Sequence, residues 1–411
     1  MDWIGVTMKS LIILSILVLT TACMPQGLPV VELSPTLVAT HPSPATTETV
    51  SPSFPVPSKT STLLLPSPTP IFGVEIDNVV ISQQGQLYAS GFGALGDDIR
   101  HFAKWEGARW IALGNGYSTA GNALVADSAG HLYTEILTDS KQGMATAIMR
   151  WDDDKWVDIT GNFNKVVDAL KAERVSSNIP VSALAVDGED NLYAAGMFSY
   201  PTAGRTDELP MGYVAKWNKE TWTVLGQGFD KVNIFGLAVS ATGKVYVSGE
   251  QPLTLEGNSS YFAQWDGETW TPLSMGKLTN TQIIALDKSG RLYAYDQSNV
   301  IAYWHGTNWT TITDQLGGEA PSVYDMTVDQ NGHLYIGGSF EMVSGTPARN
   351  IAYWANNSWH ALGDGVNERV NALAFDPSGD LYAVGYFTEA GGLPVHHQAR
   401  WDGETWHALG P

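Results

Sequence analysis

The sequence predicts an all-β chain, one four-stranded antiparallel unit repeated seven times behind a disordered N-terminal stalk. Three observations carry this reading. Fourteen of the fifteen tryptophans form seven pairs whose members stand five positions apart: Trp105/Trp110, Trp151/Trp156, Trp217/Trp222, Trp265/Trp270, Trp304/Trp309, Trp354/Trp359 and Trp401/Trp406. Each pair follows an aliphatic-Tyr step, namely Leu87-Tyr88, Leu132-Tyr133, Leu192-Tyr193, Val245-Tyr246, Leu292-Tyr293, Leu334-Tyr335 and Leu381-Tyr382, at intervals of 45, 60, 53, 47, 42 and 47 residues. Ahead of the step lies a short apolar run closed by a polar turn, as in ALVAD from Ala123, ALAVD from Ala183, IIALD from Ile283 and ALAFD from Ala372.

Each unit reads as strands A to D. Strand A is the apolar run, buried on both faces and therefore without alternation. Strand B starts at the aliphatic-Tyr step. Strand C ends in the first Trp, often as Ala-x-Trp, and strand D runs from the second Trp into W-x-x-L-G. The four residues between paired tryptophans, often Asp-Gly-Glu-Thr, suit a tight hairpin that sets the indoles opposite one another. Such cross-strand aromatic pairs contribute about 0.5–1.5 kcal/mol beyond area burial.

Four short strands cannot bury two faces alone, so the units must stack. A four-stranded repeat near 45 residues marks a β-propeller. Seven copies predict seven blades over 73–411, at about 73–116, 117–163, 164–229, 230–276, 277–318, 319–366 and 367–411. Each copy starts with strand A and finishes with strand D. Closure is therefore expected from face packing of the first and last blades, helped by Ile71 to Ile76. LYIGGSF from Leu334 and ARWDGETWHALG from Ala399 resemble the Kelch repeat of galactose-oxidase-like propellers, although most copies lack its paired glycines. That resemblance spans essentially all of 73–411 and implies the same propeller.

The first 23 residues read as a targeting segment, with an apolar stretch from Leu11 to Leu19 behind Lys9. That stretch is short for a membrane span. Thr20-Thr21-Ala22-Cys23 resembles the bacterial lipoprotein signal, which implies lipidation at Cys23, the chain's only cysteine. Translation starts at Met1 or at Met8. Residues 24–70 hold 11 Pro, 7 Ser and 8 Thr, so 26 of 47 positions cannot build a core, and a disordered tether is expected over 24–72. As a coil it would span about 40 Å. The expected location is the cell envelope, lipid-anchored and facing the extracytoplasmic side. With 20 Lys+Arg against 39 Asp+Glu, residues 73–411 carry a net charge of −19, which argues against nucleic acid or anionic lipid as partner.

Strand directions alternate, so A–B and C–D turns share one face of the disc, and B–C and D–A loops share the other. Length variation concentrates on the second face, where function is expected. Candidate ligand contacts there are Asp97, Asp98, Arg100 and His101 in blade 1, Arg205, Asp207 and Glu208 in blade 3, Arg349 and Asn350 in blade 6, and His396 and His397 in blade 7. Asp230, Asp364, Glu368 and Arg369 join them from D–A loops. A helically spaced insert, Phe163 to Asn178, lies on the same face.

Catalytic signatures are missing. Galactose oxidase needs a Tyr–Cys crosslink at copper, and 73–411 contain no Cys. Sialidases need an arginine triad and an S-x-D-x-G-x-x-W box, from which the local W-D-G-E-T-W turn departs. No HxH, HExxH or CxxC spacing points to a metal, and no cofactor is implied. Asp127, Asp187, Asp287, Asp329 and Asp376 recur after strand A as expected turn caps, with His131 and His333 at a variable surface position beside them. The leading expectation is a monomeric, non-catalytic recognition module for an envelope or extracellular protein or glycan. The alternatives are an envelope carbohydrate hydrolase or lyase with carboxylates converging at the ring centre, and a structural spacer.

Overall fold

The computed structural model describes residues 72–93, 100–116, 120–140, 143–168, 180–198, 211–230, 232–255, 258–274 and 276–410. Residues 1–71, with Cys23 and nearly all of the expected tether, lie outside them. The described residues form seven four-stranded antiparallel sheets, each running A, B, C, D from one edge to the other. The first comprises Phe72–Ile81, Leu87–Gly93, Arg100–Trp105 and Trp110–Ala112; the last comprises Val370–Phe375, Leu381–Gly385, Gln398–Trp401 and Trp406–Ala408.

Successive A strands touch one another: Phe72–Ile81, Ala120–Ala126, Val181–Val186, Ile234–Val239, Thr281–Leu286, Ser322–Val328 and Val370–Phe375, the last returning to the first. The chain is a closed β-propeller. No strand is exchanged at the junction. Ile76, Val79 and Leu87 of the first sheet pack directly on Ala372 and Val384 of the last.

All seven tryptophan pairs face each other across their C–D hairpins. Ring centroids lie 5.1 Å apart in Trp105/Trp110 and 6.2 Å apart in Trp217/Trp222. The second indole of a pair has a further partner. Its Nε1–H donates to a backbone carbonyl at the end of strand D in the preceding blade: Trp156 to Leu113 at 2.9 Å, Trp222 to Ile159 at 3.1 Å, Trp270 to Leu225 at 2.8 Å, Trp309 to Ser274 at 2.7 Å and Trp406 to Leu362 at 2.8 Å.

The glycine of W-x-x-L-G follows from this contact. A Cβ on Gly226 would stand 2.8 Å from Trp270, and one on Gly410 would stand 2.9 Å from Trp105. Both glycines also have positive φ, which L side chains rarely adopt. Ring closure uses a relay. Trp110 Nε1–H donates to Gln398 Oε1 at 2.8 Å, and Gln398 Nε2–H donates to the Leu409 carbonyl at 3.2 Å.

One blade breaks the series. The Trp359 Nε1–H is buried without an acceptor. The preceding outer strand, Trp309–Thr313, carries a register shift near Ile312 and reads Ile312-Thr313 where four blades have Leu-Gly. Its carbonyls are therefore out of step with the indole.

The turn caps appear as expected. Asp127, Asp187, Asp287, Asp329 and Asp376 each accept, through Oδ1, backbone N–H bonds from two and four residues on. His131 and His333 are more than surface residues, because Nδ1 of each lies 2.8 and 2.9 Å from the other oxygen of its Asp. The described start of the Phe163 insert is helical, as its spacing suggests, and the rest of it lies outside the described residues. The helix is Phe163–Asp168, and Phe163 and Val167 are fully buried. Just ahead of it, the Asn162 side chain accepts from Trp222 N at 2.8 Å and donates to Trp222 O at 3.0 Å. This insert therefore covers the exposed edge of the third blade's outer strand, which would otherwise present unpaired backbone groups.

The indole bond is testable by comparing two equivalent positions. Trp406→Phe loses a buried hydrogen bond and strands the Leu362 carbonyl, whereas Trp359→Phe removes only a donor that is already orphaned. Chemical denaturation should show Trp406→Phe costing about 1 kcal/mol more than Trp359→Phe. Equal losses would assign the indoles a packing role alone.

Candidate functional site

The loop face begins where the A strands begin. Register shifts fall near the start of the A strand in all seven blades, and in five of them the extra residues are Asp77, Ser182, Phe235, Tyr324 and Asn371. A bulge places two residues opposite one and re-aims the side chain. A strand read as uniformly apolar thus opens, at one end, into a ring of polar and aromatic groups. Glycine on strand B makes room for it. A Cβ on Gly196, Gly338 or Gly385 would stand 2.2, 2.1 or 2.2 Å from the carbonyl oxygen of Pro180, Ser322 or Arg369.

Between blades 6 and 7 this level holds a compact cluster. The Arg369 guanidinium lies 4.8 Å from the centroid of Tyr324 and 4.4 Å from that of Tyr386. Its Nε–H donates to Asn371 Oδ1 at 2.7 Å, and Asn371 Nδ2–H donates to the Ile76 carbonyl at 2.9 Å, joining blade 7 to blade 1. Below it stands Asp325. An innermost strand has no neighbour on its channel side, so alternate N–H groups there lack ladder bonds. Asp325 accepts from two of them, Met326 N at 2.8 Å in its own blade and Leu373 N at 2.7 Å in the next. Burial raises its carboxyl from 3.8 to about 7, outweighing those two bonds, which favour the charged form. Asp325 nonetheless keeps intermediate accessibility, so its enclosure is that of a water-reached channel wall.

Farther out, two loops carry short hairpins. In blade 6, Met342–Val343 pairs with Thr346–Pro347, and Leu316–Gly317 from the preceding D–A loop adds a third strand. In blade 7, Glu389–Ala390 pairs with Leu393–Pro394, and Ala390 bridges Val366 of the D–A loop. B–C and D–A loops therefore meet on one face, as strand alternation requires.

The predicted contacts scatter within this frame. Asp97, Asp98, Arg205, Asp207 and Glu208 lie outside the described residues. Arg100 and His101 belong to strand C, paired with Phe92 and Gly91, where a loop was expected. Asp230 lies in a two-residue strand against Met211. Arg349 Nη1 lies 3.7 Å from Glu389 Oε1, bridging the two hairpin loops, and both side chains are about half exposed.

Asn350 is structural. It has φ 64°, and its amide accepts from Phe340 N at 3.0 Å and donates to Val366 O at 2.9 Å. His397 occupies the corresponding left-handed position, φ 61°, with a buried Nδ1 that has no partner. Asp364, Glu368 and His396 are exposed. Of the predicted set, only Arg369 joins the cluster. Tyr324, Asp325, Asn371 and Tyr386 were not anticipated, because nothing in an apolar run announces a bulge. The tyrosine three residues ahead of Thr327-Val328 was the one available signal.

No group of three or more His, Cys, Asp or Glu side chains could hold a metal among the described residues. On the opposite face, the A–B turns of blades 5 and 6 flank a cleft of about 400 Å³ lined by Asp287, Lys288, Arg291, Asp329 and Asn331. Its two aspartates are already committed to their turns, while Arg291 lies 5.0 Å from the Tyr303 ring centroid.

No protein-family model matches the chain. No curated protein matches it either. Among solved structures it is similar to U3-55K, with a TM-score of 0.51 at 15% identity, covering 77% of this chain and 90% of that one. It is also similar to the acylaminoacyl peptidase of Pyrococcus horikoshii, with a TM-score of 0.50 at 12% identity, covering 82% of this chain and 52% of that one. The RRP9 WD40 repeats follow at a TM-score of 0.49 and 15% identity, covering 77% and 88%. At these identities the likeness concerns the fold.

Asp325 makes stability depend on pH. Between about 4 and 7 the folded chain keeps a proton that the unfolded chain has released. The stabilisation is full below about 4 and is lost as pH rises through 7. Unfolding free energies from denaturant titration of the parent chain should fall from pH 4.5 to pH 8 by roughly 2 kcal/mol more than those of Asp325→Asn, the full shift being discounted for water in the channel. Parallel pH profiles would show that Asp325 ionises normally.

Proposed function

We propose that the chain is a recognition module on a tether, its propeller binding an extracytoplasmic protein or glycan through the face formed by B–C and D–A loops. The observation that carries this is the asymmetry of the two faces. A–B turns repeat one side-chain-capped geometry, by Asp in five blades and Ser in two, while hairpins and bulged polar residues collect on the other face. A scaffold that holds its turns constant and diversifies its loops supports selection for contact on the loop side. The Kelch-like repeat is the scaffold, and Cys23 is the lipid-anchored end. Asp325, a carboxyl on the innermost strand, has both oxygens committed to backbone donors, which favours binding over catalysis.

Two measurements test this reading. In a bacterial host, Cys23→Ala should move the chain from the membrane fraction to the soluble extracytoplasmic fraction; unchanged fractionation removes the anchor. On glycan and peptide arrays, the full chain should lose at least tenfold in affinity on Arg349→Ala with Glu389→Ala, and keep it on Lys288→Ala with Arg291→Ala. The opposite pattern would move the binding face to the turn side.

A further inference from the structure

Among the described residues, the exposed large hydrophobic side chains are Phe92 at 36%, Met342 at 42% and Leu393 at 44%. All three belong to the loop face, and two stand on the hairpins of blades 6 and 7. These hairpins are rooted. Val343 and Ala390 are fully buried beneath them, as are Phe340 and Phe387, and Gly391 N–H donates to Gly365 O at 2.8 Å. Met342 pairs with Pro347 across its hairpin, and Leu393 precedes Pro394, so each hairpin presents an aliphatic side chain beside an exposed proline. A fixed turn that holds an apolar group in water is unlike the isolated exposed leucine that any surface carries.

The surrounding charge is one-sided. Segments 314–320, 340–350, 363–369 and 386–397 contain six carboxylates, Asp314, Glu319, Glu341, Asp364, Glu368 and Glu389, against two guanidinium groups. Arg349 faces Glu389, Lys277 faces Asp314 from a neighbouring loop, and Arg369 is held between two tyrosine rings, which leaves Glu319, Glu341, Asp364 and Glu368 as the acidic excess. A second copy of this chain, with its net charge of −20, and an anionic membrane are both repelled by such a surface. A glycan would call for exposed aromatic platforms, yet the exposed tips of these two hairpins are aliphatic, and the tyrosines nearby, Tyr324 and Tyr386, cover Arg369. Aliphatic Met, Leu and Pro groups inside an acidic rim match a polypeptide instead.

We infer that the hairpins of blades 6 and 7 dock a basic polypeptide segment of a partner protein, its aliphatic side chains resting on Met342, Pro347, Leu393 and Pro394 and its Lys or Arg groups facing Glu341, Asp364 and Glu368. This rests on the loop-face reading above and narrows it to one partner class. Opposite charges across the rim set orientation and on-rate, and the apolar tips supply the contact that excludes water.

Panning a display library of random twelve-residue peptides against the full chain tests it. Enriched peptides should combine Lys or Arg with aliphatic residues. Their affinity should fall at least tenfold on Met342→Ser with Leu393→Ser, fall similarly on Glu341→Lys with Glu368→Lys, weaken from 0.05 to 0.5 M salt, and hold on Glu268→Lys at the turn face. Thermal melting of each variant separates lost binding from lost fold. No enrichment, enrichment of acidic or neutral peptides, or affinity indifferent to the hairpin variants would overturn the inference. Loop-face glycan binding without peptide binding would overturn it too, while leaving the recognition reading intact.

Discussion

Five of the seven blades lean on the one before through a single indole N–H to a backbone carbonyl, and Trp110 does so through Gln398. A four-stranded sheet packed on its neighbours by apolar contact alone could slide, because hydrophobic burial has no preferred register. A hydrogen bond from the second tryptophan to a carbonyl at the end of the preceding outer strand has one. It fixes both the height and the rotation of each blade, and it requires glycine where the ring passes. The paired tryptophans thus serve two directions at once. The first packs against its hairpin partner within the sheet, and the second reaches out of it.

Most of this architecture was legible in the sequence, and the reason is repetition. A Trp-Trp spacing that never varies can only be a hairpin, and an Asp followed two and four residues later by backbone donors can only be a turn cap. What stayed hidden was single and local. The bulge at Tyr324 follows from no pattern in SVYDMTV, because a period-two or apolar reading assumes that no residue is extra. The hairpins of blades 6 and 7 were visible as loop length but not as strands, since two-residue strands carry no periodicity. Arg369 was found because a charged residue in a loop invites suspicion. Asp325 was missed because a charged residue within a strand reads as an outward-facing one.

The two ends of the blades have different tasks. At the turn end, an aspartate closes every A–B turn but those of blades 1 and 4, where Ser82 and Ser240 take its place, and in two of them histidine adds to the cap. Uniformity there gives a rigid base. At the loop end, bulges turn side chains toward the channel and glycines let the backbone cross, so chemistry can vary blade by blade without disturbing the sheets. Blade 5 departs from its neighbours at both ends. Asp296 stands where five of the other B strands place glycine and closes the B–C connection as a short turn, and its outer strand offers the next indole no carbonyl.

The relay through Gln398 has a mechanical consequence. Because the ring closes by side-chain and face contacts, the segment preceding Phe72 enters directly into an innermost strand. Traction on that segment would load the ladder between Phe72–Ile81 and Leu87–Gly93 along its length. All of those backbone bonds would then resist together in shear. The same force at the other terminus would instead peel Trp406–Ala408 from the rim one bond at a time. A load entering at Phe72 therefore meets a ladder in shear, whereas one entering at Ala408 meets an edge that peels.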